Sequence, residues 1–489
     1  MSELIKLYYH PDFEKQKDDF IKYSDLYEGD DTTLQQSKYL WLHELEKTSD
    51  GFQIRKTREQ RSSYTNFIEP IISIWLSLFF RKSPIIPEDV QELLGDAIDD
   101  IDGKGTSFIN FIRDYVTKNL LLYGRPVIKV NALGDKPLTL SEQKNKANYK
   151  PYFEIIDPLT LVDWQRETTD VNRLGEFNFL RVEYEELLPR PNAESAPVSQ
   201  KVSKQYFLDN NVLTIRKYLF IDDNKTNQKD DSKWKLVEES TIPDWSEIPI
   251  VADVDGKSWI KDVAGHVLKY YNLESVIDNI CLFQAHQRIY FIGDLDKADV
   301  KAAAEYTFSS LPAGTEISVI EPANLDSVKT RLDGILNTIF RIALNQVRQM
   351  NADSKSAQSA ETLKEEKDFI QAIIQSELTT IENVVNKALV YFAKFLGQDN
   401  FEGKITLSAD ITTQDIEQLM RLSLAFRDEV SDLPLIRKEI LNWFVQTMDL
   451  NNQDELFDEI ENKVTSRNTQ QTSVRENLLI GLGGNEREV

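Results

Sequence analysis

The stretch from Glu321 to Gly397 constrains this chain more than any other. Two strongly helical segments flank a small polar break, Asn351-Ala352-Asp353-Ser354-Lys355-Ser356-Ala357-Gln358. Before the break, Leu325, Val328, Leu332, Ile335, Leu336, Ile339, Ile342 and Val347 recur at the three- and four-residue steps of one helix face. After it, Leu363, Ile370, Ile374, Leu378, Ile381, Val385, Leu389 and Phe392 do the same. A helix over 359–397 is several times the usual globular length of about 11–12 residues. Its apolar stripe must be covered by something large, or by a ring of identical copies.

The rest of the chain alternates helical and strand-like patterns, which places it in the α+β class. Phe67 to Phe80 is an apolar run interrupted by Glu69 and Pro70. It is shorter than the roughly 20 residues a membrane span needs and predicts a buried helix. Asp100 to Gly105 predicts a turn, with Thr106 or Ser107 capping a helix through Phe108, Ile112, Tyr115, Val116 and Leu120. Leu180, Val182 and Tyr184 alternate with Arg181 and Glu183, the period-two mark of a half-buried strand. Similar runs at 212–220 and 234–237 predict an antiparallel meander of three to five strands within 160–250. Helix returns over 261–287. Two short strands then follow, Ile289-Tyr290-Phe291-Ile292 and Glu316 to Ile320, with Ile317 and Val319 in the second. Neither strand is expected to have an internal partner, so neighbouring chains would supply the pairing. A further short strand is expected at Thr406 to Ala409, then two amphipathic helices and a polar tail beyond Asn462.

Charge and composition exclude several classes of function. A net charge of −24 argues against a tight nucleic-acid binder, which needs basic patches to displace phosphate counterions. It leaves room for a surface that nucleic acid passes without sticking. The single cysteine, Cys281, rules out an intramolecular disulfide framework and suits a reducing compartment. None of His10, His43, His266 and His286 has metal-ligand spacing with another, and Cys281 with His286 is one pair, not a site. Gly481-Leu482-Gly483-Gly484 lacks the strand–loop–helix context of a phosphate cradle. No catalytic, cofactor-binding or metal residues are assigned, and the chain does not read as an enzyme. One local basic stretch, Arg55, Lys56, Arg58 and Arg61 followed by Tyr64, is either a solvated helix face or a face touching phosphate or an acidic neighbouring subunit.

Taken in order, short segments of the chain resemble the bacteriophage portal proteins, in the phage-like branch of tailed phages and prophages. The resemblance runs through Tyr27-Glu28-Gly29, Tyr39-Leu40, Arg55-x-x-Arg58 and Tyr64-Thr65-Asn66. It continues through Phe79-Phe80-Arg81-Lys82-Ser83-Pro84, Leu122-Tyr123-Gly124-Arg125-Pro126, Pro151-Tyr152-Phe153 and Val162-Asp163-Trp164. Ile248-Pro249 and Ser359-Ala360-Glu361-Thr362 complete the series, which covers roughly residues 25–460. No single piece is specific; their shared order carries the signal.

The resemblance implies a mostly helical portal fold with a small antiparallel sheet. Residues 1–257 would form a wing, 258–287 a stem helix, 288–322 a clip and 323–349 a second stem helix lining the channel. Residues 350–358 would be the tunnel loop, 359–397 a long wing helix, and 398–489 the crown and tail. Asn351, Asp353, Ser354, Lys355, Ser356 and Gln358 would face the DNA channel, unless this is a plain solvent loop. Ile289, Tyr290, Phe291, Ile292, Glu316, Ile317 and Val319 would interlock subunits and dock partners. The resemblance also implies a closed homo-oligomeric ring, in virions a dodecamer, at one capsid vertex. Its partners would be the major capsid protein, the terminase large subunit, a head-completion or adaptor protein, and double-stranded DNA passing through. It implies no cofactor and no membrane, with assembly in the host cytoplasm. The alternative is a non-catalytic helical scaffold or adaptor that binds only proteins.

Overall fold

A computed structural model describes residues 4–34, 38–42, 44–47, 51–133, 150–170, 173–188, 197–221, 233–242, 245–285, 289–292, 316–319, 325–343 and 360–408. The chain opens with β1 (Leu4–Ile5), α1 (Pro11–Glu28), α2 (Asp31–Leu34), α3 (Gly51–Arg61), α4 (Ile68–Phe79) and α5 (Glu88–Leu94). Next come α6 (Phe108–Phe111), a single π-helical stretch (Ile112–Thr117) and α7 (Lys118–Tyr123). The strands β2 (Val127–Leu133), β3 (Lys150–Ile155), β4 (Leu161–Asp170), β5 (Arg173–Leu188), β6 (Val198–Asp209), β7 (Val212–Phe220), β8 (Trp234–Ile242) and β9 (Ile250–Ala252) follow. Then come α8 (Lys261–Ala285), β10 (Ile289–Ile292), β11 (Glu316–Val319), α9 (Asp326–Ala343) and α10 (Ala360–Phe395). The helix that starts on its Ser107 cap, whose hydroxyl accepts from the Asn110 N–H, is therefore not one regular α-helix. The Thr117 hydroxyl donates to the Ile112 carbonyl, five residues back, within the wider π turn.

The residues divide into two compact units. The first comprises 1–24, 68–261 and 350–489; the second comprises 25–67 and 262–349.

In the first unit, β4 to β8 form an antiparallel meander, and β1 adds to the outside of β8, giving the order β1-β8-β7-β6-β5-β4. Asn210 and Asn211, both at positive φ, make the two-residue turn between β6 and β7 that matches strand twist. The strict inside-outside alternation expected for β5 does not hold at its polar positions. Arg181 is 1% exposed and Glu183 is also buried, because the chain just before α1 covers that face. Arg181 donates to the Tyr8 carbonyl and to Glu183, which also accepts from Tyr9 Oη and lies 3.1 Å from Lys201 Nζ. These pairings offset much of the cost of burying the charge, although Arg181 Nε is buried without a hydrogen-bond partner.

The second sheet, β3-β2-β9, lies under α10. Ile370, Ile374, Leu378, Ile381, Val385, Leu389 and Phe392 are all buried. Phe392 meets Phe153 of β3 edge-on at 5.8 Å, and Phe395 packs on Trp245 at 4.4 Å. One flank of the helix is closed by 401–408, which is irregular rather than a strand. Side chains of α10 take the place of a strand partner for this segment. Asn386 accepts from Ile405 N–H at 2.8 Å and donates to its carbonyl at 3.1 Å, while Glu382 accepts from Leu407 N–H. The part of the stripe from Ile370 to Phe392 is thus covered within its own unit, and the ring of copies expected to cover it is not needed there.

Gly124 ends α7 in the left-handed region at φ 70°, with its N–H on the Leu120 carbonyl at 2.7 Å. A Cβ there would lie 2.5 Å from the Lys257 carbonyl carbon, and one on Gly256 would lie 2.1 Å from the Gly124 oxygen. Two backbones meet with no room for a side chain. Gly256→Ala is therefore expected to cost about 1–3 kcal/mol by overpacking, and Gly124→Ala more because it adds backbone strain. Denaturant melts check this, and unchanged midpoints for both would show that the backbones can part.

Candidate functional site

The two strands expected to dock partners pair with each other. Ile289, Tyr290, Phe291 and Ile292 stand opposite Val319, Ser318, Ile317 and Glu316 in an antiparallel register with no slip. The expectation that neither strand has an internal partner is corrected: the strands are equal in length and satisfy one edge of each other in full. The outer edges of the pair have no further strand among the described residues. Asn351, Asp353, Ser354, Lys355, Ser356 and Gln358 lie outside the described residues, as do the two helices expected after residue 409.

Helices α8 and α9 flank this strand pair in the chain. Both belong to the second unit, apart from Lys261, and there Phe67 bridges them, edge-on to Tyr270 at 5.1 Å and to Phe340 at 6.0 Å. The first half of α8 is well covered, with Val263, Val267, Tyr271, Asn272 and Ser275 buried. Beyond Ser275 cover thins: Val276 and Ile277 are half-buried, and Asp278 and Cys281 are exposed. Helix α9 shows the reverse gradient. Leu325, Val328 and Leu332 are half-buried, while Ile335, Leu336, Ile339 and Phe340 are buried.

At the point where cover thins on α8 lies Glu274. Its Oε2 is buried without a hydrogen-bond partner. Burial, and then the like charge of Asp278 one turn on, push its carboxyl up to about 7 from an ordinary 4.5. Tyr270 is raised too, by burial first and then by Glu274, Asp333 and Asp278. A carboxyl held above its unfolded value keeps a proton that the unfolded chain releases. Stability is therefore lost as pH rises from about 4.5 toward 7. In dilute, unassembled protein, Glu274→Gln is expected to add about 1–3 kcal/mol above pH ~8 and nothing below pH ~4, read from melts across pH.

The basic stretch on α3 is not wholly solvated. Arg58 is 2% exposed. Its Nε and Nη2 donate to the two oxygens of Glu46 at 2.6 and 2.8 Å, Nη1 donates to Ser275 Oγ at 3.1 Å, and Nη2 also reaches the Trp41 carbonyl at 2.6 Å. Arg55 pairs with Glu59 one turn on, and only Lys56 and Arg61 of the four cations are exposed. Asn272 Oδ1 accepts the Trp41 N–H at 2.7 Å, so the Trp41 backbone is held from both ends while its side chain is 53% exposed. Spacing gave no hint of Glu46, which sits in a charged run with no apolar period. The same unit brings together two motif pieces far apart in sequence. Tyr64 Oη donates to the Leu26 carbonyl at 3.0 Å and Asn66 Nδ2 to the Tyr27 carbonyl at 2.8 Å, satisfying the orphan end of α1. Arg58→Met strands the Glu46 charge and is expected to cost about 3–5 kcal/mol; pairing it with Glu46→Leu should recover most of that, as measured by a double-mutant cycle.

The other motif arginine, Arg125, is also internal. It is 1% exposed and lies between Phe20 at 5.0 Å and Trp164 at 4.6 Å, with His10 stacked on Trp164 at 3.9 Å. One nitrogen donates to Gln16, and burial lowers its pKa to about 10, so it stays cationic at neutral pH. Among the described residues no group of three or more His, Cys, Asp or Glu is arranged to hold a metal ion. No described helix is long and apolar enough to cross a membrane.

The chain matches no protein-family model and no curated protein. It is similar to a solved structure titled "Neck of native GTA particle computed with C12 symmetry", at 13% identity over 76% of this chain and 90% of that one, with a TM-score of 0.32. A likeness that distant in both sequence and superposition carries no argument about what this chain does, and the functional reading rests on its own residues.

Proposed function

We propose that this protein is a portal subunit: a non-catalytic component of a closed ring at one capsid vertex through which double-stranded DNA enters and leaves. The observation that carries this is the order α8, strand pair, α9, polar segment 350–358, α10. Two long helices reach a small antiparallel strand pair and return, and they lose their cover toward it. Half-exposed apolar stripes of that kind are completed by neighbours, and a head-to-tail contact repeated by rotation closes into a ring. The strand pair would then serve the terminase motor and later an adaptor protein, with the major capsid protein around the ring.

The charge balance supports passage rather than grip. Each phosphate that a protein neutralises adds affinity and salt dependence, which is friction to moving DNA. A net charge of −24 and a segment with Lys355 as its one cation suit a channel wall. Electron microscopy and native mass spectrometry of the purified chain test the reading. A ring with a central pore is expected; a monomer or dimer at every concentration overturns it and favours a protein-binding scaffold. In rings, Ser354→Arg is expected to raise DNA retention and to steepen its fall with salt, by about one phosphate contact for each subunit engaged. Unchanged retention would place residue 354 away from the DNA.

A further inference from the structure

We propose that the outward side of the N-terminal half of α10, from Phe369 to Asn383, is a docking surface for a second copy of this chain. This rests on the ring assembly proposed above and assigns one face through which its copies touch.

Helical geometry separates two sides of α10. At about 100° per residue, Phe369, Ala372, Ile373, Ser376, Thr380 and Asn383 fall within one arc. Ile374, Leu378, Ile381 and Val385 fall within another, turned away from the first, and all four are buried. The outer arc is open. Phe369 is 52% exposed, Ala372, Ser376 and Asn383 are exposed, and Ile373 and Thr380 are half-buried. Farther along the same side the chain's own residues close in, where Lys387 pairs with Glu176, and Lys394 with Glu247 at 2.7 Å.

What the open side lacks is charge. Charged residues make up 28% of this chain, and a helix face kept in water normally carries them. Between Phe369 and Asn386 there are two, Glu377 and Glu382. Glu377 accepts from Trp259 Nε1 at 3.3 Å and Glu382 from the Leu407 N–H, so both are engaged within the chain. A helix with an apolar inner side and an uncharged outer side, with a phenylalanine half in water, has the pattern of an element covered on both sides.

Charge selects a copy of the same chain as the cover. Each copy carries a net −24, so copies repel wherever their charged surfaces meet and close up at low cost only where charge is absent. A basic partner would be drawn to the acidic surface instead. Position favours the same occupant. Helix α10 starts at Ala360, directly after the segment 350–358 read above as channel wall. In a ring the gap between neighbouring copies shrinks in proportion to distance from the axis, so residues that follow the channel wall lie where copies come closest.

Labelling of a single thiol in the full-length protein tests this. Ser376→Cys in a background of Cys281→Ser, which removes the one native and exposed thiol, should react quickly with a maleimide in dilute monomers. In rings it should react at least about tenfold more slowly. Phe369→Asp and Ala372→Glu, which place like charge on the face, should each raise the concentration at which rings form by at least about tenfold, while Phe369→Leu leaves it near wild type. Thermal melts of the dilute variants, expected to match wild type, control for folding, and the labelling decides the matter should a charged variant fold poorly. A thiol at 376 that reacts equally fast in monomers and rings means a face open to solvent. One already shielded in monomers means cover by the chain's own residues beyond 408. Either result, or well-folded charged variants that assemble as wild type, overturns this contact and leaves the ring intact. A wild-type chain that never assembles overturns the ring and the contact together.

Discussion

Helix α10 sets the terms for the first unit. An apolar stripe that recurs from Ile370 to Phe392 must be kept from water along its length, because exposure costs about 25 cal/mol per Å² of apolar surface. The sheet β3-β2-β9 supplies one wall and the segment 401–408 the other. Asn386 and Glu382 decide how the second wall is attached, because their side chains make the hydrogen bonds a neighbouring strand would otherwise make. The close passage of Gly124 and Gly256 belongs to the same unit. It lets the turn before β2 sit directly against the chain leading to α8.

Three arginines organise interiors in a protein that is otherwise strongly acidic. Each is accommodated differently, and Arg125 Nε and Nη1 and Arg181 Nε are left buried without hydrogen-bond partners. Arg58 has a bidentate carboxylate and a carbonyl, Arg181 a carboxylate and a carbonyl, and Arg125 two aromatic faces and an amide. Pairs of this sort contribute little net stability, yet removing one partner is costly, so they specify an arrangement more than they strengthen it. The interior use of Arg58 and Arg125 also removes two cations from the surface.

The second unit differs in being unfinished at one end. Phe67, Tyr270 and Phe340 make an aromatic junction, and from there α8 and α9 lose cover in the direction of the strand pair. A half-buried carboxylate with no partner lies on that margin, where a repeating assembly would place its contacts.

Periodicity made α4, α8, α9 and α10 legible, because burying one face of a helix leaves a three-to-four-residue rhythm; α1, which buries Phe13, Phe20, Tyr23 and Leu26, was not among the helices it showed. It also showed the meander, while the turn at Asp100–Gly105 and a cap at Thr106 or Ser107 came from residue type. Period two misled at Arg181 and Glu183, since alternation reports which residues differ in polarity and not whether a distant segment covers the polar face. It could not pair β10 with β11, which depends on where a connection of more than twenty residues returns. The Arg55–Arg61 stretch was visible as charge alone; Glu46, Ser275 and the Trp41 carbonyl, which give Arg58 its role, come from remote segments with no shared spacing. By itself the sequence determined element types, the great helix and an acidic chain without an evident catalytic constellation. Tertiary structure decided which polar groups are interior and which strands pair, and it showed that the apolar stripe of α10 is covered within its own unit from Ile370 to Phe392. Those outcomes depend on contacts between residues tens to hundreds of positions apart, and local rhythm carries no record of them.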